Sequence, residues 1–257
     1  MSVLRDFGGW LFGGVGVVIC GGIWNWWRSR RPAPPPPVPA LESPTIDQLK
    51  AKARVLVVDD QTFEYLPALK KEGLDVKWVK DIASTVAIEQ GDYDVVLLDL
   101  HGVATSISPK QGIGALMQIK RGSPAQMLIA YSSASWNVTD SRELELADAI
   151  LDKAQAAFPD FRQSVVKLLL RSADLNHYLD CLDGLLTHSL DHVLAEKLAD
   201  SKAATRDALL RFVESGSGDD LSAVLSSLEE RGIDPAHLPQ IHAVANLARR
   251  RLHPWLV

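Results

Sequence analysis

Acids stand at the ends of two apolar runs: "RVLVVDD" closes on Asp59 and Asp60, and "VVLLD" closes on Asp99. A third run, "LIAYSS", closes on Ser132 and Ser133, and "AILDK" reaches Lys153. Carboxylates gathered at one place repel one another and take up protons unless a cation neutralises them. Three acids, a hydroxyl and a lysine therefore form a meaningful set only if the fold makes them converge, and convergence is a property of the elements that carry them.

Those elements are legible as periodicity. Val55 to Val58, Val76 to Val79, Val95 to Leu100, Met127 to Tyr131 and Ala149 to Leu151 read as short apolar strands, with helix-period stretches between them. Strands that alternate with helices imply right-handed βαβ units and a parallel sheet covered on both faces. In such sheets ligands collect beyond the carboxyl ends of the strands, and the five residues stand at those ends. Beyond about Phe161 only helical periodicity remains, broken at "SGSGDD" and "RGIDP".

The ordered set resembles the receiver domain of bacterial response regulators: an acidic pair after the first strand, Asp after the third, Ser after the fourth and Lys after the fifth. The resemblance covers about Arg54 to Ala157, and the separations Asp60 to Asp99 (39), Asp99 to Ser132 (33) and Ser132 to Lys153 (21) each leave room for one helix. It implies a flavodoxin-like, doubly wound, five-stranded α/β sheet. It also implies that Asp99 is the phosphoacceptor, that Ser132 hydrogen-bonds the phosphoryl group and that Lys153 offsets its charge. Asp59, Asp60 and Asp99 would hold Mg²⁺, which suits hard oxygen ligands. Its partners would be a histidine kinase or a phosphotransfer protein. The stretch after Asp99 is longer than the family's, with Val103 where a proline is common. Ile150 takes the place of an aromatic switch residue, and Lys153 is followed by Ala154 instead of proline.

Upstream, Phe7 to Trp27 runs 21 residues without a charge, enough for a helix of about 31 Å, close to the bilayer's hydrocarbon thickness. Trp24, Trp26 and Trp27 then meet Arg28, Arg30 and Arg31, which predicts an uncleaved single-pass anchor with its C-terminal side in the cytoplasm, in a bacterial inner membrane. Gly9 and Gly13 have GxxxG spacing, so self-association into a homo-oligomer is a further expectation. Arg31 to Pro44 carries seven prolines in fourteen residues and reads as an extended spacer. The expected organisation is an anchor over 1–31, a linker over 32–51, a receiver-like domain over 52–158 and a helical bundle over 159–257.

The net charge of −5, with 11 basic against 14 acidic residues from Gln155 onward, disfavours a nucleic-acid reader, although Leu221 to Leu252 has the outline of a helix-turn-helix. Cys20 and Cys181 make no framework. His188 and His192 have a zinc-compatible spacing without a third ligand, and His177 or His192 could in principle carry phosphate. "ARRRLHP" reads as a basic helix end favoured by the helix dipole. The function expected is a membrane-anchored signalling protein without substrate turnover. Two alternatives stay open: a receiver-like scaffold that is never phosphorylated, and a membrane effector gated by the receiver.

Overall fold

Arg54–Val58 (β1), Asp75–Val79 (β2), Val95–Asp99 (β3), Met127–Ser132 (β4) and Ala149–Asp152 (β5) form one all-parallel sheet in the order β2-β1-β3-β4-β5. This computed structural model describes residues 44–132, 141–189, 195–230 and 232–255. The expected membrane segment, Phe7 to Trp27, and most of the proline-rich spacer lie outside the described residues. Among the described residues, no helix is long and apolar enough to cross a membrane.

Strand burial follows position in the sheet. The central strands β3 and β4 are buried at every residue, whereas edge strands β2 and β5 are only partly covered. A strand sandwiched by helices on both faces must be apolar throughout, which is why these runs show no alternation in sequence. Successive side chains still point to opposite faces. Val55, Val57, Val95, Leu97, Ile129 and Tyr131 share a core with Leu69 of helix α2 (Leu66–Lys71) and with Phe161, Val165 and Leu168 of α6 (Phe158–Ser172). Leu56, Val58, Val96, Leu98 and Leu128 pack on the other side. There they meet Ile88 of α3 (Val86–Glu89) and Leu116 and Ile119 of α4 (Gln111–Gly122). A short α5 (Ser141–Leu144) adds Leu144 against Leu100 and Ile113.

Ile46–Lys52, which the sequence assigns mostly to the spacer, is a helix (α1). Thr45 and Gln48 form a reciprocal capping box at its start, which satisfies amide groups that would otherwise lack partners. Its buried Leu49 and the ion pair of Lys50 with Glu72 at 2.8 Å tie it to the sheet's helical cover.

After α6 the chain is helical: α7 (Leu175–Ser189), α8 (Ala195–Ser215), α9 (Gly218–Glu230) and α10 (Leu238–Leu252) surround a second core containing Leu182, Leu186, Phe212, Val213, Ile241 and Val244. Ala125, just before β4, belongs to this core as well, so the bundle docks at the amino-terminal ends of the strands. Arg251 seals the junction. It is buried, donates to Asp94 and to the Tyr93 carbonyl at 2.5 Å each, and Arg250 pairs with Asp92 at 2.9 Å. The basic helix end therefore does more than meet a dipole: it binds acids on the base of the sheet. The outline of a helix-turn-helix dissolves for the same reason, since α10 turns Ile241, Val244 and Leu252 into the bundle core.

Candidate functional site

Sheet register assembles the site. Val58 lies opposite Leu98 and Asp99 opposite Tyr131, while Ser132 lies opposite Asp152. One residue further along each strand, Asp59 meets Asp99 on the neighbouring strand, strands being about 4.8 Å apart. Lys153 follows Asp152 and donates its amide to the Ser132 carbonyl at 2.9 Å. Strand order β2-β1-β3 places this group where the chain reverses its direction across the sheet, the usual ligand crevice of an open α/β fold.

Asp59, Asp60 and Asp99 each offer a carboxylate oxygen, and the three oxygens lie within 4.8 Å of one another. Asp59 and Asp99 are buried and Asp60 is exposed. The Lys153 ammonium lies 2.5 Å from Asp99 Oδ2 and 3.1 Å from Asp59 Oδ2. One ammonium against three carboxylates leaves negative charge in a confined space. Burial pushes the Asp99 carboxyl above its ordinary value, and neither the Lys153 hydrogen bond nor its charge restores it. Oxygen-only donors with surplus charge suit a hard divalent cation. Space is kept for the third acid as well. Gly102 has φ +74°, and a Cβ there would stand 2.4 Å from Asp60 Oδ2.

The sequence-expected residues Asp59, Asp60, Asp99 and Lys153 are thus brought together. Ser132 sits at the end of β4, its hydroxyl 2.8 Å from Nδ1 of His101, whose own amide donates to Asp99 Oδ1 at 3.3 Å. Ser133 and His192 lie outside the described residues. His177 is no phosphate acceptor: it is buried, accepts from Arg171 at Nδ1 and approaches the Ala125 carbonyl at 3.0 Å. Burial also lowers its basicity. Among the described residues, the three aspartates are the one group of His, Cys, Asp or Glu arranged to hold a metal.

Two contributors escaped the sequence reading. His101 lies two residues beyond the run "VVLLD", in a loop where a histidine has no distinguishing context. Tyr131, 2.7 Å from Asp59 Oδ2 through its hydroxyl, was read only as the last apolar residue of a strand. The unusually long loop after Asp99 is itself well held: the Ala104 amide donates to Asp81 Oδ1 and the Gly102 amide to Gln111 Oε1 at 2.8 Å. Ala104 and Gln111 both adopt φ of +56°, a left-handed conformation uncommon outside glycine. Val103 and Ala104 are fully buried, so the extra residues are packed into the α3/α4 side of the sheet.

No family model matches the chain, and no curated protein matches it. Among solved structures it is similar to a CheY-like response regulator receiver domain from Methanospirillum hungatei, at 21% identity over 46% of this chain and 93% of that one, with a TM-score of 0.37. It is similar to the signal receiver domain of a putative Luxo repressor protein from Vibrio parahaemolyticus, at 24% identity over 46% and 91%, with a TM-score of 0.39. It is also similar to the receiver domain of NtrX from Brucella abortus, at 23% identity over 45% and 97%, with a TM-score of 0.37. The strand order and register, not these likenesses, carry the fold assignment: a flavodoxin-like five-stranded parallel sheet followed by an all-helical region.

Proposed function

We propose that this protein is a response-regulator-like signalling protein that accepts a phosphoryl group on Asp99. A carboxylate oxygen of Asp99 attacks the phosphorus of a phosphohistidine on a histidine kinase or phosphotransfer protein. The P–N bond breaks, its electron pair leaves on the imidazole, and a new P–O bond forms on Asp99. Asp59, Asp60 and Asp99 would hold Mg²⁺, which supplies positive charge to the phosphoryl oxygens when bound. Lys153 supplies a second cation, pre-placed at 2.5 Å from the acceptor carboxylate. Exchanging His101 for a phosphoryl oxygen would give the Ser132 hydroxyl two positions, and so couple the site to β4 and its loop.

The observation that carries this reading is the Lys153 ammonium bridging Asp59 and Asp99 beside a third carboxylate. Aspartates that only capped the following helix would not need to converge with Asp99 on one ammonium. The product is a changed state of the protein rather than a released metabolite. With Phe7 to Trp27 as a single-pass anchor, the sheet and bundle would work at the cytoplasmic face of a bacterial inner membrane, and the helical tail or the membrane segment would carry the output.

The full-length chain, incubated with Mg²⁺ and acetyl phosphate, is expected to gain one base-labile phosphate that maps to Asp99. Asp99→Ala and chelation of Mg²⁺ should each abolish it. Label retained by Asp99→Ala, or none taken up by the wild type from acetyl phosphate or a phosphorylated kinase, overturns the reading and favours a docking scaffold.

A further inference from the structure

Tyr131 joins the apolar core to the charged site. Its ring lies within the apolar core between the sheet and helices α2 and α6, 1% exposed, edge-on to Phe63 at 6.0 Å and to Phe161 at 5.8 Å. Its hydroxyl reaches out of that core to Asp59 Oδ2 at 2.7 Å. The Lys153 ammonium stands 4.5 Å from the ring centroid, so the ring is also a wall of the charged site. A cavity of about 210 Å³, lined among others by Asp59, Phe63, Tyr131, Lys153 and Phe161, adjoins it.

The hydrogen-bond inventory of Asp59 shows what this contact does. An ionised carboxylate has about four acceptor positions. Oδ1 accepts from the Gln61 amide at 3.0 Å, and Oδ2 takes the Tyr131 hydroxyl and approaches Lys153 at 3.1 Å. The two neutral donors come from different elements and grip the two oxygens separately, which fixes the plane of the carboxylate. The phenol is the donor in this pair, since an ionised carboxylate oxygen can only accept.

We infer that Tyr131 is a positioning residue for the metal seat: its hydroxyl orients the Asp59 carboxylate toward a divalent cation, and its ring anchors that carboxylate to α2 and α6. The inference rests on the reading of the acid cluster given under Proposed function and adds to it the residue that sets the cluster's cation affinity. It assigns the phenol a role that packing alone would not require. A ring that merely fills the core could lose its oxygen without consequence for the cation.

The test is Mg²⁺ binding by titration calorimetry on the full-length chain, comparing wild type, Asp60→Asn and Tyr131→Phe. Phenylalanine keeps the ring and its edge-on neighbours and removes only the oxygen. Loss of a hydrogen bond that orients a metal ligand costs about 10- to 100-fold in affinity, so Tyr131→Phe is expected to raise the Kd by about 10-fold. Equal Kd values for wild type and Tyr131→Phe, with Asp60→Asn weakened, overturn this inference and leave the metal seat standing. No saturable binding by the wild type overturns both. A second measurement needs no variant: in wild-type protein carrying ¹³C at the tyrosine carbon that bears the hydroxyl, the Tyr131 resonance should shift as Mg²⁺ saturates. A resonance that stays in place while Mg²⁺ binds sinks the proposal.

Discussion

At the scale of single residues, the site stores electrostatic strain. Asp99 is buried with Asp59 against one ammonium, and burial holds its carboxyl above the ordinary value. An acid whose folded pKa is raised binds its proton more tightly in the folded state than in the unfolded one. Its ionisation therefore lowers stability as pH rises through the folded value. Asp99→Asn removes that penalty. In metal-free buffer at pH 7 the variant should melt a few degrees above wild type, since about 1 kcal/mol corresponds to roughly 2–4 °C in a chain of this size. The difference should shrink as pH falls through the raised folded value and be gone below about 4, where the carboxyl is protonated in the folded and unfolded chain alike. Differential scanning calorimetry across that range checks it, and a variant less stable than wild type at pH 7 would contradict the account. The five expected residues were legible here because each closes an apolar run. His101 and Tyr131 were not, because a histidine in a loop and a tyrosine in a strand are ordinary where they stand, and only their partners distinguish them.

At the scale of elements, the join between β3 and α4 matters most, because it sets where the Asp99 carboxylate sits. Gly112, in the first turn of α4, lies so close to the end of β3 that a Cβ would fall 1.9 Å from the Asp99 carbonyl oxygen. Backbone cannot yield as a flexible side chain does, so Gly112→Ala should push the helix off the strand end. Overpacking of this kind costs about 1–3 kcal/mol. Urea unfolding should show that loss, and phosphorylation from acetyl phosphate should fall with it. Wild-type stability in Gly112→Ala would mean that α4 is more loosely seated than described. The sequence predicts the strands to within a residue of their observed ends, because a buried parallel strand must be apolar on both faces. It does not reveal that "HGVATSISPKQ" packs as an ordered loop, since that order comes from Asp81, two elements earlier in the chain, accepting the Ala104 amide.

At the scale of the molecule, the acid cluster and the helical bundle occupy opposite ends of the same strands, separated by the roughly 15 Å length of a five-residue strand. Arg251 joins the bundle to the base of β3 through Asp94 and the Tyr93 carbonyl, with side chains only 7% and 14% exposed for the ion pair. Removing one partner of a buried pair strands the other, at a cost of about 3 kcal/mol. Arg251→Met should therefore melt in two calorimetric steps, sheet and bundle, where the wild type melts in one. A single transition at the wild-type midpoint would show that Gln240 bonding to the Arg121 carbonyl and His177 against the Ala125 carbonyl suffice to hold the two together.

Taken alone, the amino-acid order determined the alternation of strand and helix, the residues at each strand end and the change to an all-helical tail, because periodicity and charge placement are local properties. Tertiary structure decided the rest. Which oxygen of Asp59 meets Lys153, that a tyrosine from β4 donates to it, and that a basic helix end closes on Asp94 all depend on contacts between residues 72 to 158 positions apart. Contacts at such range have no signature in any one stretch of chain, since they arise only when sheet register brings separate strand ends side by side.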